Sequence, residues 1–300
     1  GDTYLLLFTS IFTSHPRQRK IFVGVQQTEW YDSIKPFKQH YSLPERMWLK
    51  RFAGLIFVRD QKTKKYLQQK GFNNVESPGN PMMDCFKIHP KNIFPPDREV
   101  IGILPGSKNE AYHNLNIIFE VIKLLNKENK NLLFAVALSP NLSLSRIIHS
   151  FNLQELPPCS DRQSYTAYTI KDGDKIEIII SQSLFGNIIN EACAVIGLSG
   201  TGNEQAAGLG KPIFSFWGKG PQITKKFLLA QKKLLGPSLF VFPPQPEIIV
   251  REICKVIRDR SLLKKIEQNG KKRMSGRGSI SAIAEDIYQY INTTNKTPGT

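Results

Sequence analysis

Short apolar runs alternate with segments of helical periodicity along most of the chain. In the first part, residues 21–25 and 54–58 form apolar, partly β-branched runs that are typical of buried strands. A helical stretch follows the second run and ends near Gly71, at the position where helices commonly carry a glycine. Asn80 and Pro81 then indicate a turn. This part therefore predicts strands that are separated by helical connections.

A second and longer series of the same kind begins at Val100. Its predicted strands are residues 100–104, 132–138, 176–180, 194–198, 212–216 and 239–242. Its predicted helices are residues 115–126, 204–209 and 225–235, followed by three helical stretches of which the last lies near residues 280–291. Prolines at positions 90, 95 and 96 separate the two series and disfavour regular structure between them.

This alternation determines the fold class that we predict. Strands that alternate with helices at this spacing form parallel sheets with right-handed crossover connections. We therefore predict an α/β fold with two doubly wound, Rossmann-like domains. The N-terminal domain is expected to be incomplete, because about 85 residues precede the linker and a full domain of this kind needs roughly 150. The predicted division is a domain at 1–85, a linker at 86–97, a domain at 98–278, and a last helix with a tail at 279–300.

A glycine-rich segment after the strand at 194–198 is the strongest candidate for chemistry. Ligands of open α/β sheets bind beyond the carboxyl ends of the strands, and glycines there present bare N–H groups at the start of a helix, which suits a phosphate or diphosphate. Glu204 could accept hydrogen bonds from ribose hydroxyls, although it could also only complement the helix dipole while the glycines make a tight turn. The candidate ligand-binding residues are Ser199, Gly200, Thr201, Gly202, Asn203, Glu204 and Gln205.

Two more loops follow predicted strands and add to this candidate site. The loop after residue 104 offers N–H groups at Gly106 and Ser107 and a positive charge at Lys108, and Glu110 lies between these residues and the predicted helix. The loop at 217–224 adds Lys219 and Gln222, which could face the sugar or phosphate side of a ligand or belong to a solvated loop. The sequence contains no HExxH motif, nucleophile elbow or Walker loop, so the hydrolase and P-loop classes are poor matches.

The net charge of +16 favours anionic partners. Aromatic and basic residues alternate over residues 33–52, where Phe37, Trp48, Lys50 and Arg51 are candidates for contact with an anionic membrane surface. The same mixture would also suit single-stranded nucleic acid, or aromatics that pack inward beneath solvated charges. No apolar run reaches the roughly 18 residues that a membrane span needs. The four cysteines are scattered without ligand spacing, so we expect reduced thiols and no metal site.

The order of these segments resembles a known family. The residues that carry the resemblance are FVRD at 57–60, GNPMMD at 79–84, LPGS at 104–107, SGT at 199–201, EQ at 204–205, GLGKP at 208–212, GKGPQ at 218–222, AQ at 230–231, LLGPS at 234–238 and RM at 273–274. They look like the lipid-A-disaccharide synthase-related proteins of cyanobacteria and plastid lineages. More distantly, they resemble lipid-A-disaccharide synthase and other glycosyltransferases of the GT-B type that use UDP-N-acetylglucosamine. The resemblance extends from the first residues to about residue 285.

The resemblance implies a GT-B fold in which residues 98–278 bind a UDP-sugar as substrate, without a cofactor or metal. It implies diphosphate contacts from residues 199–203 and from Gly106 and Ser107, a ribose contact from Glu204, and a last helix at 279–300 that crosses back onto the N-terminal domain. The implied activity is hexosyl transfer from the UDP-sugar to an acceptor, with a membrane lipid as one acceptor class. Nucleic acid is not an expected partner. The expected location is the cytoplasm, with peripheral contact to the inner face of a membrane left open.

Two departures from the family bear on this expectation. Relatives carry arginine where this chain has Lys108, which keeps the charge but loses bidentate geometry. The first strands and helices of the family, which hold its acceptor pocket and general base, are not found, so no catalytic residue is assigned. Two alternatives therefore stay open: an enzyme similar to UDP-N-acetylglucosamine 2-epimerase, and a fragment that binds a nucleotide or lipid without catalysis.

Overall fold

The computed structural model describes residues 20–31, 41–157, 165–171, 176–218, 220 and 223–295. The strands are β1 (Lys20–Val23), β2 (Ala53–Phe57), β3 (Val75–Glu76), β4 (Glu99–Leu104), β5 (Leu132–Ala137), β6 (Leu153–Glu155), β7 (Ala167–Ile170), β8 (Ile178–Ser181), β9 (Ala192–Gly197), β10 (Ile213–Phe216) and β11 (Leu239–Phe242). The helices are α1 (Leu43–Phe52), α2 (Gln61–Gln69), α3 (Glu110–Glu128), α4 (Leu144–Ser150), α5 (Phe185–Glu191), α6 (Thr201–Gly208), α7 (Lys225–Leu235), α8 (Pro246–Arg258), α9 (Arg260–Met274) and α10 (Ser279–Asn295). The chain divides into two compact units, one with residues up to 85 and from 272 onward, the other with residues 86–271.

The first unit is built on a three-stranded parallel sheet in the order β1–β2–β3. One face of β2 packs against α10 through Leu55, Phe57 and Ile283. The carboxylate of Asp84 accepts hydrogen bonds from backbone N–H groups at the start of α10, with distances of 2.7 Å and 2.9 Å. Because the first N–H groups of a helix have no partner inside the helix, this carboxylate stabilises the start of α10.

The second unit holds an eight-stranded sheet in the order β11–β10–β9–β4–β5–β8–β7–β6. From β4 the chain moves outward to β5 and β8, and it then returns to the other side of β4 for β9, β10 and β11. The order therefore reverses between β4 and β9, which pair in parallel. In doubly wound sheets this switch point opens a crevice beyond the carboxyl ends of the strands, because the connections leave in opposite directions.

Both faces of this sheet are covered, so its central strands read as continuous apolar runs. Ile101, Phe134 and Ile196 are fully buried on one face, and Leu133 and Ala135 are fully buried on the other. This explains why apolar runs in the sequence predict most strands of this sheet. The bounds of α7 and β11 confirm the predictions for 225–235 and 239–242.

The predicted parallel pairing does not extend to one edge of this sheet. β7 pairs antiparallel with both β6 and β8. The seven residues between β7 and β8 are too few for the crossover that a parallel connection needs, so the chain reverses direction instead. Residues 86–97 have no helix or strand and belong to the second unit, where Glu191 accepts hydrogen bonds from the N–H groups of Ile93 and Phe94 at 3.0 Å.

Two helices also differ from the sequence prediction. α1 covers residues that showed only mixed basic and aromatic character; it starts with Ser42, whose backbone N–H donates to the Glu45 carboxylate at 2.8 Å. α6 begins at Thr201, three residues before the predicted helix. Among the described residues, no helix has the length and apolarity that crossing a bilayer requires.

Candidate functional site

Two loops meet at the switch point of the larger sheet. The β4 loop comprises residues 105–109 and leads into α3, and the β9 loop comprises residues 198–200 and leads into α6. They are coupled directly, because the N–H of Leu198 donates to the carbonyl of Leu104 at 2.8 Å. The folding pattern thus brings two of the sequence-predicted segments to one place.

The β4 loop exposes backbone N–H groups. Gly106 has a φ of +105°, and a Cβ atom at this position would lie 3.3 Å from the carbonyl oxygen of Leu198. Only glycine adopts this conformation without strain, and its small size permits the close approach of the two loops. The N–H groups of Gly106, Ser107 and Lys108 have no acceptor within the part of the chain that the structure describes. They are available to an anion.

The β9 loop presents the start of α6 to the same space. The N–H of Gly202 donates to the Ser199 hydroxyl at 3.2 Å, whereas those of Gly200 and Thr201 find no acceptor among the described residues. The aligned peptide dipoles of a helix add partial positive charge at its N-terminus. Free N–H groups together with this dipole form a site for a phosphate group.

A buried polar network holds the β9 loop in this conformation. Asn203 is fully buried, and its Nδ2 lies 3.2 Å from the Gly197 carbonyl, 3.4 Å from the Ser215 hydroxyl and 3.1 Å from Oε1 of Gln231. The Ser215 hydroxyl also donates to the Gly197 carbonyl. Gln231 in turn donates to the carbonyl of Gly200 at 2.9 Å. Because the carbonyls of this turn are bound on the inner side, its N–H groups face outward.

A cavity lies between the two loops and the start of α3. It contains about 380 Å³ of empty space, including the part that is open to solvent. Its lining includes Gly106, Ser107, Lys108, Glu110, Asn114 and Ser199. The polar groups of these residues are the N–H groups of the β4 loop, the Ser199 hydroxyl, one lysine, one carboxylate and one carboxamide. This set suits an anionic ligand that also carries hydroxyl groups.

The loop after β10 closes one side of the cavity. The N–H of Gly218 donates to the carbonyl of Ile223 at 3.0 Å, and the N–H of Ile223 donates to that of Gly220 at 3.3 Å. Gly220, with a φ of +127°, and Ile223 line the cavity. The predicted site residues Lys219 and Gln222 belong to this loop but lie outside the described residues.

The remaining predicted residues fall into three positions. Gly106, Ser107, Lys108, Glu110 and Ser199 line the cavity, and Ser199 is followed by Gly200 at the end of the β9 loop and by Thr201 and Gly202 in the first turn of α6. Asn203 points its side chain into the buried network, so any ligand contact from it would come from the backbone. Glu204 is partly exposed and Gln205 is buried along α6, and neither is among the residues that line the cavity. The roles of all these residues stay predictions.

Asn114 is a lining residue that the sequence analysis did not single out. It lies four residues after Glu110, so both side chains share one face of α3. The predicted helix began only at residue 115, which hid this relation. The helix start at Glu110 is the signal that would have revealed it.

The membrane-contact candidates lie in α1, apart from Phe37, which is outside the described residues. Trp48 stacks on Phe52 with ring centroids 4.8 Å apart, and Lys50 lies over the ring of Phe72 at 5.2 Å. Arg51 is exposed and its guanidinium lies 5.5 Å from the centroid of the Phe52 ring. The exposed apolar residues of this helix are Leu43 and Met47, each with 64% of its surface accessible.

In the second unit, the titratable groups whose pKa values are shifted lie outside the cavity. Burial raises the pKa of Cys193 to about 12, and burial lowers the pKa of the neighbouring Lys211. The described residues contain no cluster of three or more His, Cys, Asp or Glu side chains that could hold a metal ion. The electrostatics of the cavity thus come from N–H groups, the α6 dipole, Lys108 and Glu110.

No protein-family model matches the sequence, and no curated protein matches it. Solved structures do match the fold. A protein proposed to be a UDP-N-acetylglucosamine 2-epimerase from Listeria monocytogenes has a TM-score of 0.56 at 14% identity, covering 97% of this chain and 71% of that protein. S. aureus MnaA, solved with UDP, has a TM-score of 0.52 at 17% identity, covering 92% and 69%.

A glycosyltransferase also belongs to the group. CalG4, the calicheamicin glycosyltransferase, has a TM-score of 0.50 at 14% identity, covering 83% of this chain and 55% of that protein. At these identities the similarity establishes the fold and nothing finer. The chain has an α/β fold of the GT-B type, as predicted.

Proposed function

We propose that this chain binds a UDP-sugar in the cavity between the β4 and β9 loops and transfers the sugar to an acceptor hydroxyl. The observation that carries the proposal is that Gly106, Ser107 and Lys108, with unpaired N–H groups, line the cavity, and that the unpaired N–H groups of Gly200 and Thr201 directly follow Ser199, which lines it too. Two separate sets of donors fit the two phosphates of a nucleotide diphosphate better than a single phosphate. The S. aureus structure that shares this fold holds UDP, which supports the choice of nucleotide.

The reaction would be an inverting displacement at the anomeric carbon. A bond forms from the acceptor oxygen to that carbon, the bond to the β-phosphate oxygen breaks, and UDP leaves with the electron pair. The acceptor gives up its proton to a base. N–H groups at Gly200 and Thr201, with Lys108, would stabilise the negative charge that grows on the β-phosphate. This role for fixed donors removes the need for a metal ion.

For the acceptor, we propose a membrane lipid, as in lipid-A-disaccharide synthases. The supporting feature is the outer face of α1, where Leu43, Met47 and Arg51 recur at intervals of four residues and are all exposed. Two exposed apolar side chains with basic residues beside them suit an anionic lipid surface. Sedimentation with vesicles that contain anionic lipid tests this, and Met47→Glu should release the protein from them.

A second candidate is epimerisation of UDP-N-acetylglucosamine. It is favoured by several of the similar solved structures, among which the N. meningitidis enzyme, bound to UDP-N-acetylglucosamine, has a TM-score of 0.51. An epimerase converts the nucleotide sugar without an acceptor, whereas a transferase releases UDP only when an acceptor is present. A third candidate, binding without catalysis, predicts neither product.

Calorimetric titration with UDP and UDP-N-acetylglucosamine tests the shared part of these proposals. We expect binding that Lys108→Ala weakens by roughly 5- to 30-fold, since a charge-assisted hydrogen bond contributes about 1.5–3 kcal/mol and Lys108 is exposed to screening. Lys127→Ala changes another exposed lysine, at the far end of α3, and should leave affinity unchanged. Glu204→Ala examines the proposed ribose contact. Failure of the folded wild-type protein to bind either compound would refute the donor site.

A further inference from the structure

Asn114 is buried without a complete set of hydrogen bonds. Only 2% of its surface is accessible, and its Oδ1 atom has no hydrogen-bond donor among the described residues. Buried polar groups in proteins are nearly always paired, because an unpaired one loses its hydration without compensation. Asn187, buried to the same degree in this unit, uses both ends of its amide, with partners at 3.2 Å and 3.1 Å.

The position of Asn114 connects this unpaired group with the cavity. It lines the cavity one helical turn beyond Glu110. On the opposite side its Oδ1 faces the loop after β10, where a Cβ atom on Gly218 would lie only 2.7 Å from it. The terminal torsion of asparagine is broad, so a rotation can turn either amide atom toward the cavity without moving α3.

The side chains of Glu110 and Asn114 differ chemically from the backbone N–H groups of the β4 and β9 loops. Four residues along a helix span about 6 Å, so Glu110 and Asn114 are spaced like groups that could contact two points of one sugar ring. A carboxylate repels phosphate, whereas a carboxylate and a carboxamide together accept and donate hydrogen bonds to hydroxyl groups. This part of the cavity therefore suits hydroxyls rather than the diphosphate.

We propose that Asn114 is a specificity-determining residue whose carboxamide hydrogen-bonds a hydroxyl group of the sugar carried by the nucleotide, with Glu110 beside it. This inference rests on the proposed function, since it requires that a nucleotide sugar occupies the cavity. The ligand then supplies the partner that Oδ1 lacks in the protein itself.

The chain contains a matched control in Asn126. It lies on α3 as well, 3% of its surface is accessible, and its Nδ2 is also buried without a partner among the described residues. It is three turns away from Asn114 and does not line the cavity. Any general effect of removing a buried asparagine from this helix should appear equally in both variants.

The experiment measures the affinity for UDP and for UDP-N-acetylglucosamine in the wild type, Asn114→Ala and Asn126→Ala. We expect Asn114→Ala to weaken binding of the nucleotide sugar by roughly 3- to 10-fold, the loss of one hydrogen bond, and to change UDP affinity by less than about twofold. Asn126→Ala should change neither affinity by more than about twofold. Asn114→Leu, which fills the space but forms no hydrogen bond, should behave like Asn114→Ala and guards against a collapse of the helix.

Three results would overturn the proposal, and they differ from one another. If the variants at Asn114 keep both wild-type affinities, the carboxamide does not contact the sugar, and the donor site itself stands. If both affinities fall together in the variants at Asn114, the residue shapes the nucleotide site instead. If the folded wild type binds neither compound, the proposed function fails and the inference fails with it.

Discussion

Changing Gln231 to methionine tests whether the buried network holds the β9 loop in place. Methionine has nearly the same length and shape as glutamine but cannot form its hydrogen bonds. Only 2% of the surface of Gln231 is accessible, and the residue lies in α7 behind the loop. The change removes a donor from the Gly200 carbonyl and an acceptor from Asn203. It also removes the long contact of 3.5 Å that Gln231 makes with the carbonyl of Ser199.

The cost follows from which groups lose their partners. Nδ2 of Asn203 keeps the Gly197 carbonyl and the Ser215 hydroxyl, so its two protons stay bound. The Gly200 carbonyl retains only a long contact of 3.4 Å with the N–H of Glu204. The substitution therefore removes two buried hydrogen bonds. One is the well-formed bond to the Gly200 carbonyl, and the other is the bond from Nδ2 of Asn203, which has two other acceptors. At about 1 kcal/mol for each, we expect a loss of about 2 kcal/mol in the free energy of unfolding.

Urea denaturation measures this loss, and Gln268→Met is the matched control. Gln268 is exposed on α9, so the same substitution there should change stability by less than about 0.5 kcal/mol. UDP affinity should fall in Gln231→Met as well, because the turn that presents its N–H groups is no longer held. Equal stability of the two variants, together with unchanged UDP affinity, would show that the network does not position the loop.

Three further predictions concern single positions. Gly106→Ala should lower stability by about 1–3 kcal/mol and abolish ligand binding, because its φ is positive and a backbone carbonyl lies close; Gly276→Ala, which has open space around it, should be neutral in the same thermal denaturation. Asp84→Ala should cost about 1–2 kcal/mol by uncapping α10, whereas the exposed Asp97→Ala should not, as urea denaturation will show. Cys193 has a pKa raised by burial to about 12 from an ordinary 9.0, so between these pH values the unfolded chain releases a proton that the folded chain keeps. Wild-type stability should therefore fall as pH rises, by up to about 1.4 kcal/mol per pH unit, and Cys193→Ala should lack this part of the fall in titrations from pH 9 to 11.

The strands of the larger sheet could be predicted because both of their faces are buried. A strand such as β5 must then be apolar throughout, and this leaves a clear run in the sequence. The same reasoning located the β4 and β9 loops, since a run that ends in glycine and serine marks a strand end. Their approach to each other, however, depends on strand order. That order follows from long-range pairing, which a single sequence does not display.

Other elements of the fold could not be predicted from the sequence, each for a specific physical reason. Within α1 only Leu49 is buried, so the helix has no apolar stripe, and its signal lies in the capping residues Ser42 and Glu45. The start of α6 contains Gly202 and follows Gly200; helix propensity disfavours glycine, and the helix forms there because tertiary contacts outweigh propensity. The antiparallel edge at β7 reflects the length of one connection rather than any residue pattern.

Two buried asparagines of the larger unit illustrate two different roles, one structural and one proposed to be in ligand binding. Asn203 is buried and its Nδ2 binds neighbouring carbonyls. These bonds hold the β9 loop, which would face a phosphate. Asn114 is also buried, and its oxygen, like Oδ1 of Asn203, has no partner among the described residues, but Asn114 lines the cavity and Asn203 does not. A replacement by leucine removes such an orphan group and can stabilise a protein by itself. An unpaired group beside a cavity is therefore a place where folding alone would favour another residue, and this marks Asn114 as a residue for which a ligand is the missing partner.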